Sequence, residues 1–149
     1  MDKIYADDLH VGAVYPFGTY EVTLDELIEF ATQWDPQDFH TDADAAARSV
    51  YGGLIASGVH TIAINQRLSV EAVYRHWHVI AGHSLGDVRF VRPVRAGDVL
   101  SGHAEITAVA PEPDRGRAVV GVAMTVTNGT GRPVLTASTD LYVHLAPRS

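Results

Sequence analysis

The sequence predicts an α+β fold, with helices gathered in the first half of the chain and antiparallel strands in the second. Three observations carry this. Leu24, Leu27, Ile28 and Ala31 recur at i, i+3, i+4 and i+7, the stripe of an amphipathic helix. Beyond residue 78 the hydrophobic period drops to two. Asn128-Gly129-Thr130-Gly131 stands between two of those period-two stretches, where a tight hairpin is needed.

The elements follow in order. Residues 11–22 hold Tyr15, Phe17, Tyr20 and Val22 and read as a broken first strand. Thr23 with Glu26 three residues later forms a capping box for the first helix. Pro36 should stop that helix near Trp34. Asp42 caps a short helix, Ala43 to Ala47. Gly52-Gly53 then separates it from Leu54–Trp77, the longest helical candidate. Its apolar residues (Ile55, Val59, Ile62, Leu68 and Val73 among them) spread widely around the axis and suggest burial on more than one face. Strands are expected over Ser84–Val91, 99–109, 118–127 and 134–145, joined by meander-type links, with Pro111 to Gly116 as one loop.

Composition narrows the function. The 149 residues suit one domain spanning 1–149. A folded chain of this mass buries roughly 68% of its unfolded surface, enough for a core without staples. The net charge of −7, from 18 acidic and 11 basic residues, argues against a nucleic-acid partner. Cysteine is absent, which removes disulfides, thiolate zinc sites and cysteine nucleophiles. No run approaches the ~20 apolar residues of a membrane span, and Met1 to Tyr5 lacks the start of a signal peptide. A cytoplasmic, membrane-free protein is the expectation.

Eight histidines stand out against eleven Lys plus Arg. In Asp35-Pro36-Gln37-Asp38-Phe39-His40 a carboxylate and an imidazole lie five residues apart in a short irregular segment. Such a loop can turn both toward one point, where they can hold and activate one water. The plain structural alternative is that Asp-Pro opens a turn and that Asp38 or Asp42 caps the next helix. Gly52-Gly53, read as a helix start, offers backbone N–H groups to an anion or developing oxyanion; alternatively the pair only makes a tight turn. Ser57 is not in a Gly-x-Ser-x-Gly setting, so a serine nucleophile is not expected. His76 and His78 would point apart on a helix, and no metal site is expected. His60 and Thr61 could line a site or simply pack.

These residues resemble those of the MaoC-like dehydratases, the (R)-specific enoyl-CoA hydratase branch of the hot-dog superfamily. Asp35 to His40 is similar to the hydratase motif, with Gln37 at its usual Asn position and Asp38 at its usual Pro. Tyr51-Gly52-Gly53-Leu54-Ile55-Ala56-Ser57-Gly58 resembles the start of the family's central helix, and Arg89 to Asp98 the bend entering its third long strand. The resemblance covers most of the chain. It implies a long central helix wrapped by a curved antiparallel sheet, and a homodimer with the acyl tunnel at the interface. It further implies a hydro-lyase that interconverts a trans-2-enoyl-CoA and the (R)-3-hydroxyacyl thioester. Asp35 and His40 would hold the water, and the Gly53 N–H would polarise the thioester carbonyl. Ser57 and Thr61 would orient the pair or the carbonyl. Arg89, Arg92 and Arg95 are candidates for coenzyme A phosphates, although a basic strand end is also simply a solvated edge. No cofactor is implied beyond the coenzyme A thioester substrate. A hot-dog acyl-CoA thioesterase and a non-catalytic acyl-thioester-binding protein are the alternatives.

Overall fold

A computed structural model of the protein describes residues 2–148. The first helix, α1 (Leu24–Trp34), starts as expected: the Thr23 Oγ1 accepts the Glu26 N–H at 3.2 Å. Only half of the capping box forms. The Glu26 carboxylate accepts the Tyr20 hydroxyl and lies 3.7 Å from His60 Nε2, so its charge is spent between elements and not on its own helix end. Before α1 lie two short strands, β1 (Val14–Pro16) and β2 (Tyr20–Glu21), which together are the expected broken strand. After Asp35 and Pro36 the chain makes an unforeseen short helix, α2 (Asp38–Thr41). The next, α3 (Ala43–Ala47), begins where Asp42 Oδ1 accepts the Asp44 and Ala45 N–H groups.

The long helix, α4 (Gly58–Ala72), is shorter than the sequence pattern suggests. Leu54 to Ser57 are not helical: the Ile55 and Ala56 N–H groups reach Phe39 O and Val94 O in other segments. Ser57 then caps the helix, its Oγ accepting the Val59 N–H. Past Val73 the chain closes a 3-10 turn over Tyr74–His76 and enters β3 (Val79–Phe90), earlier than expected. Nor is α4 buried all round. Its inward stripe is His60, Thr61, Ile64, Asn65, Leu68 and Ser69, while Val59 is exposed. On that stripe the Asn65 amide reaches Met124 Sδ, on which the Tyr74 hydroxyl also converges. Burial pushes the Tyr74 phenol up to about 12.

The remaining strands are β4 (Val99–Glu112), β5 (Arg117–Thr127) and β6 (Pro133–His144), and every strand pair is antiparallel. They form a meander, but β3 does not join it beside β4. It crosses to the far edge, giving the order β1-β4-β5-β6-β3, with β2 also on β4. The expected loop after Pro111 is tighter than it looks. Pro111 still pairs with Ala118, and the reversal is completed by Gly116 at φ +63°. Gly102 marks the joint between the β1 and β2 pairings. At φ +139° its backbone comes so near Thr125 that a Cβ would fall 1.9 Å from the Thr125 carbonyl oxygen. The core lies between α4 and the sheet and includes Leu27, Leu68, Trp77, Leu100, Ile106, Val120, Val122 and Leu135. Each such aliphatic side chain stabilises the fold by roughly 1.5–3 kcal/mol on burial. Among the described residues no helix is long and apolar enough to cross a membrane.

Candidate active site

Asp35 occupies the C-cap of α1, where Pro36 ends the helix and its own N–H still bonds Ala31 O. Five residues later His40 sits on α2, 3% exposed. The two converge: His40 Nε2 lies 3.4 Å from Asp35 Oδ2. On its other side the imidazole places Nδ1 2.7 Å from Ile55 O. A carbonyl can only accept, so Nδ1 carries the proton and Nε2 of the neutral ring keeps a free lone pair beside Asp35.

The carboxylate is held on both oxygens. The Ser57 hydroxyl donates to Oδ2 and the Gln37 amide to Oδ1, each at 2.7 Å. These donors, Ser57 foremost, hold the Asp35 carboxyl below its ordinary range, so it stays ionised. The pair opens onto a cleft of about 390 Å³, walled by Phe39, Tyr51, Val59, Phe90 and Val134. Thr61 lines it from α4, buried, with its hydroxyl 3.4 Å from Ser57 O.

The glycines are arranged differently from the sequence reading. Gly53 is not at a helix start, because α4 begins five residues later, and it is not on the cleft. It packs near Arg95, whose guanidinium nitrogen lies 3.3 Å from where its Cβ would be. The helix N-terminus that does face the cleft is at Gly58. Within the first turn Val59 N–H is taken by Ser57 Oγ and Thr61 N–H by Ser57 O, while the Gly58 N–H has no intrahelical acceptor. A Cβ here would meet the Phe90 ring at 2.7 Å. Ser57 followed by Gly58 was the available signal, a good N-cap residue before the first turn.

The three arginines separate. Arg92 lines the cleft, with one nitrogen on Pro133 O at 2.8 Å. Arg95 is tied to Tyr51 O at 2.6 Å. Arg89 stands on β3 opposite Thr136, exposed and outside the cleft. Among the described residues no three His, Cys, Asp or Glu side chains cluster as metal ligands.

The long helix against an antiparallel sheet defines the hot-dog class, and solved structures bear this out. A MaoC-like dehydratase from Rhodospirillum rubrum superposes with a TM-score of 0.87 at 32% identity, covering 97% of this chain and 99% of that one. An (R)-hydratase from Pseudomonas aeruginosa gives 0.76 at 26% identity, covering 99% and 94%. The chain belongs to the MaoC like domain family, which it matches over residues 10–128. A UPF0336 protein of Streptomyces griseus is 34% identical over 147 residues, 94% of this chain and 96% of its own. Hydratase or dehydratase chemistry is the general activity these likenesses support.

Proposed function

We propose that the protein reversibly hydrates a trans-2-enoyl-CoA to the (R)-3-hydroxyacyl thioester. One observation carries this reading: a tautomer-fixed imidazole and an ionised carboxylate flank one point on a largely apolar cleft. Water held between them gives a proton to His40 Nε2 as its oxygen bonds to C3. The C2–C3 π electrons move toward the thioester carbonyl, whose oxygen gains negative charge. The Gly58 N–H, aided by the α4 dipole, stabilises that charge, and one such donor contributes about 10²–10³ in rate in known enzymes. The imidazolium formed beside Asp35 is stabilised by the carboxylate, and a proton is returned to C2 on the same face. The reverse sequence removes water. The thioester supplies the acidity at C2, so no further cofactor is required. Arg92 at the cleft is the best-placed cation for a coenzyme A phosphate.

A homodimer is part of this proposal. β3 has a sheet neighbour only on its β6 side and exposes Ile80, Leu85 and Phe90. The protomer exposes 8400 Å², against about 7,400 Å² expected for a monomer of this mass. Lack of cysteine suits a reducing, cytoplasmic setting.

The test is incubation with crotonyl-CoA, following loss of the conjugated enone beside a thiol reagent. Enone loss without thiol release is expected. Thiol release without enone loss makes it a thioesterase, and inactivity over a range of chain lengths makes it a binding protein.

A further inference from the structure

We infer that Gln37 is a positioning residue that holds Asp35 and His40 together as one unit; this rests on the hydratase reading above. Its side-chain amide donates to Asp35 Oδ1 at 2.7 Å. Its backbone carbonyl accepts the His40 N–H at 2.9 Å, and its own N–H bonds Asp35 O at 2.8 Å. One residue therefore touches both members of the pair, through main chain on one side and side chain on the other.

Helix capping does not explain the choice of residue. Gln37 stands at the N-cap of α2, where Ser, Thr, Asp or Asn would serve best, yet it makes no side-chain cap bond there. Its amide reaches back to the carboxylate instead. Gln can do this with one more methylene than Asn. With Oδ1 held by Gln37 and Oδ2 by Ser57, the plane of the carboxylate is fixed at two points. The oxygen facing His40 is then Oδ2, 3.4 Å from Nε2. The titratable groups around Asp35 are His40 on α2, with Tyr51 and Arg92 lining the same cleft from the loop after α3 and the segment after β3.

Two variants separate positioning from structure. Gln37→Met keeps the side-chain length and removes the donor. Gln37→Ser can cap α2 but cannot reach Asp35. Both should fold, with only a small fall in melting temperature at neutral pH, because the lost bond is exposed to solvent. Each should lower kcat about 3- to 10-fold with little change in KM, and each should move the acid limb of the rate profile to higher pH. Carbon-13 NMR titration of the Asp35 carboxyl, with or without substrate, should show the same upward displacement. Unchanged titration of Asp35 in both variants overturns the inference. If the wild type hydrates no enoyl thioester, the proposed activity fails while the NMR titration still decides what Gln37 does.

Discussion

Two buried histidines, His40 and His60, look alike in the sequence and differ in almost every contact. They are 3% and 2% exposed, and each has a carboxylate near Nε2, at 3.4 Å for Asp35 and 3.7 Å for Glu26. His40 has its second nitrogen fixed by Ile55 O and turns its free edge to the cleft. His60 Nδ1 is buried without a partner, and its ring is stacked on Phe30 at 4.4 Å. The carboxylates differ as well. Asp35 receives two donors that leave it charged beside the cleft, whereas Glu26 is engaged by the Tyr20 hydroxyl, with Arg67 over the Tyr20 ring. A carboxylate beside an imidazole is therefore not a site by itself. The second nitrogen and the adjoining space distinguish them. Ile55 O fixes His40 beside the larger cleft. His60, stacked on Phe30, joins the first turn of α4 to α1 and lines a smaller hollow of about 220 Å³ with Tyr20, Glu26 and Arg67.

The strongest way to break this contrast is to remove the chemistry from one side only. Asp35→Asn and His40→Gln should each reduce crotonyl-CoA hydration by at least about 10³-fold with circular dichroism unchanged. His60→Phe, which keeps a stacked ring, should leave the rate within about threefold; a loss matching His40→Gln would place both histidines in the reaction.

Next in size, Ser57→Ala should cost about 10- to 100-fold in kcat by removing a bond to a charged acceptor. Loss of the chief donor that depresses the Asp35 carboxyl should also shift the acid limb of the pH–rate profile upward. A Ser57→Ala profile that merely scales down would assign the hydroxyl to capping α4 alone.

A smaller effect concerns stability. Burial holds the His60 imidazole below its ordinary range, against the pull of Glu26. The unfolded chain therefore takes up this proton first, and folded-state stability is lost as pH falls below about 6.5. His60→Phe escapes that loss, so thermal melts at pH 8 and pH 5 should show the variant gaining on the wild type in acid. Melting curves that stay parallel would show that His60 protonates freely in the fold. Smallest of all, Arg67→Ala removes an exposed cation from the Tyr20 ring and from Glu71 and should change stability by at most about 1 kcal/mol in urea denaturation. A larger loss would make the His60 neighbourhood more than packing.

The local features were the legible ones. Thr23 caps α1, Pro36 ends it, and Asp42 caps α3, each through chemistry within a few residues. The alternation over 118–127 gave β5, whose pattern requires only that one face meet the core. The Asp35 and His40 spacing was visible as well, because Pro36 ends α1 at Asp35 and leaves only a short segment before His40. The boundaries of α4 were not. Leu54 to Ala56 are apolar and run into the helical stripe, yet the distant acceptors Phe39 O and Val94 O hold them extended. The helix therefore starts at Gly58 and not at Leu54, which leaves Gly53 away from any helix N-terminus. The partner of β3 was equally hidden, since pairing with β6 bridges some fifty residues and leaves no local trace. The sequence shows Gln37 only as a departure from the family motif, because its contact with Asp35 depends on the turn of the chain at Pro36.

The close approach of Phe90 to Gly58 has a consequence for how this protein can change. With the ring 2.7 Å from any Cβ at position 58, a side chain there is accommodated only if Phe90, itself 58% exposed, swings outward. Positions 58 and 90 are thus epistatic across 32 residues of sequence. Libraries that vary them one at a time will reject substitutions that the pair, varied jointly, can tolerate.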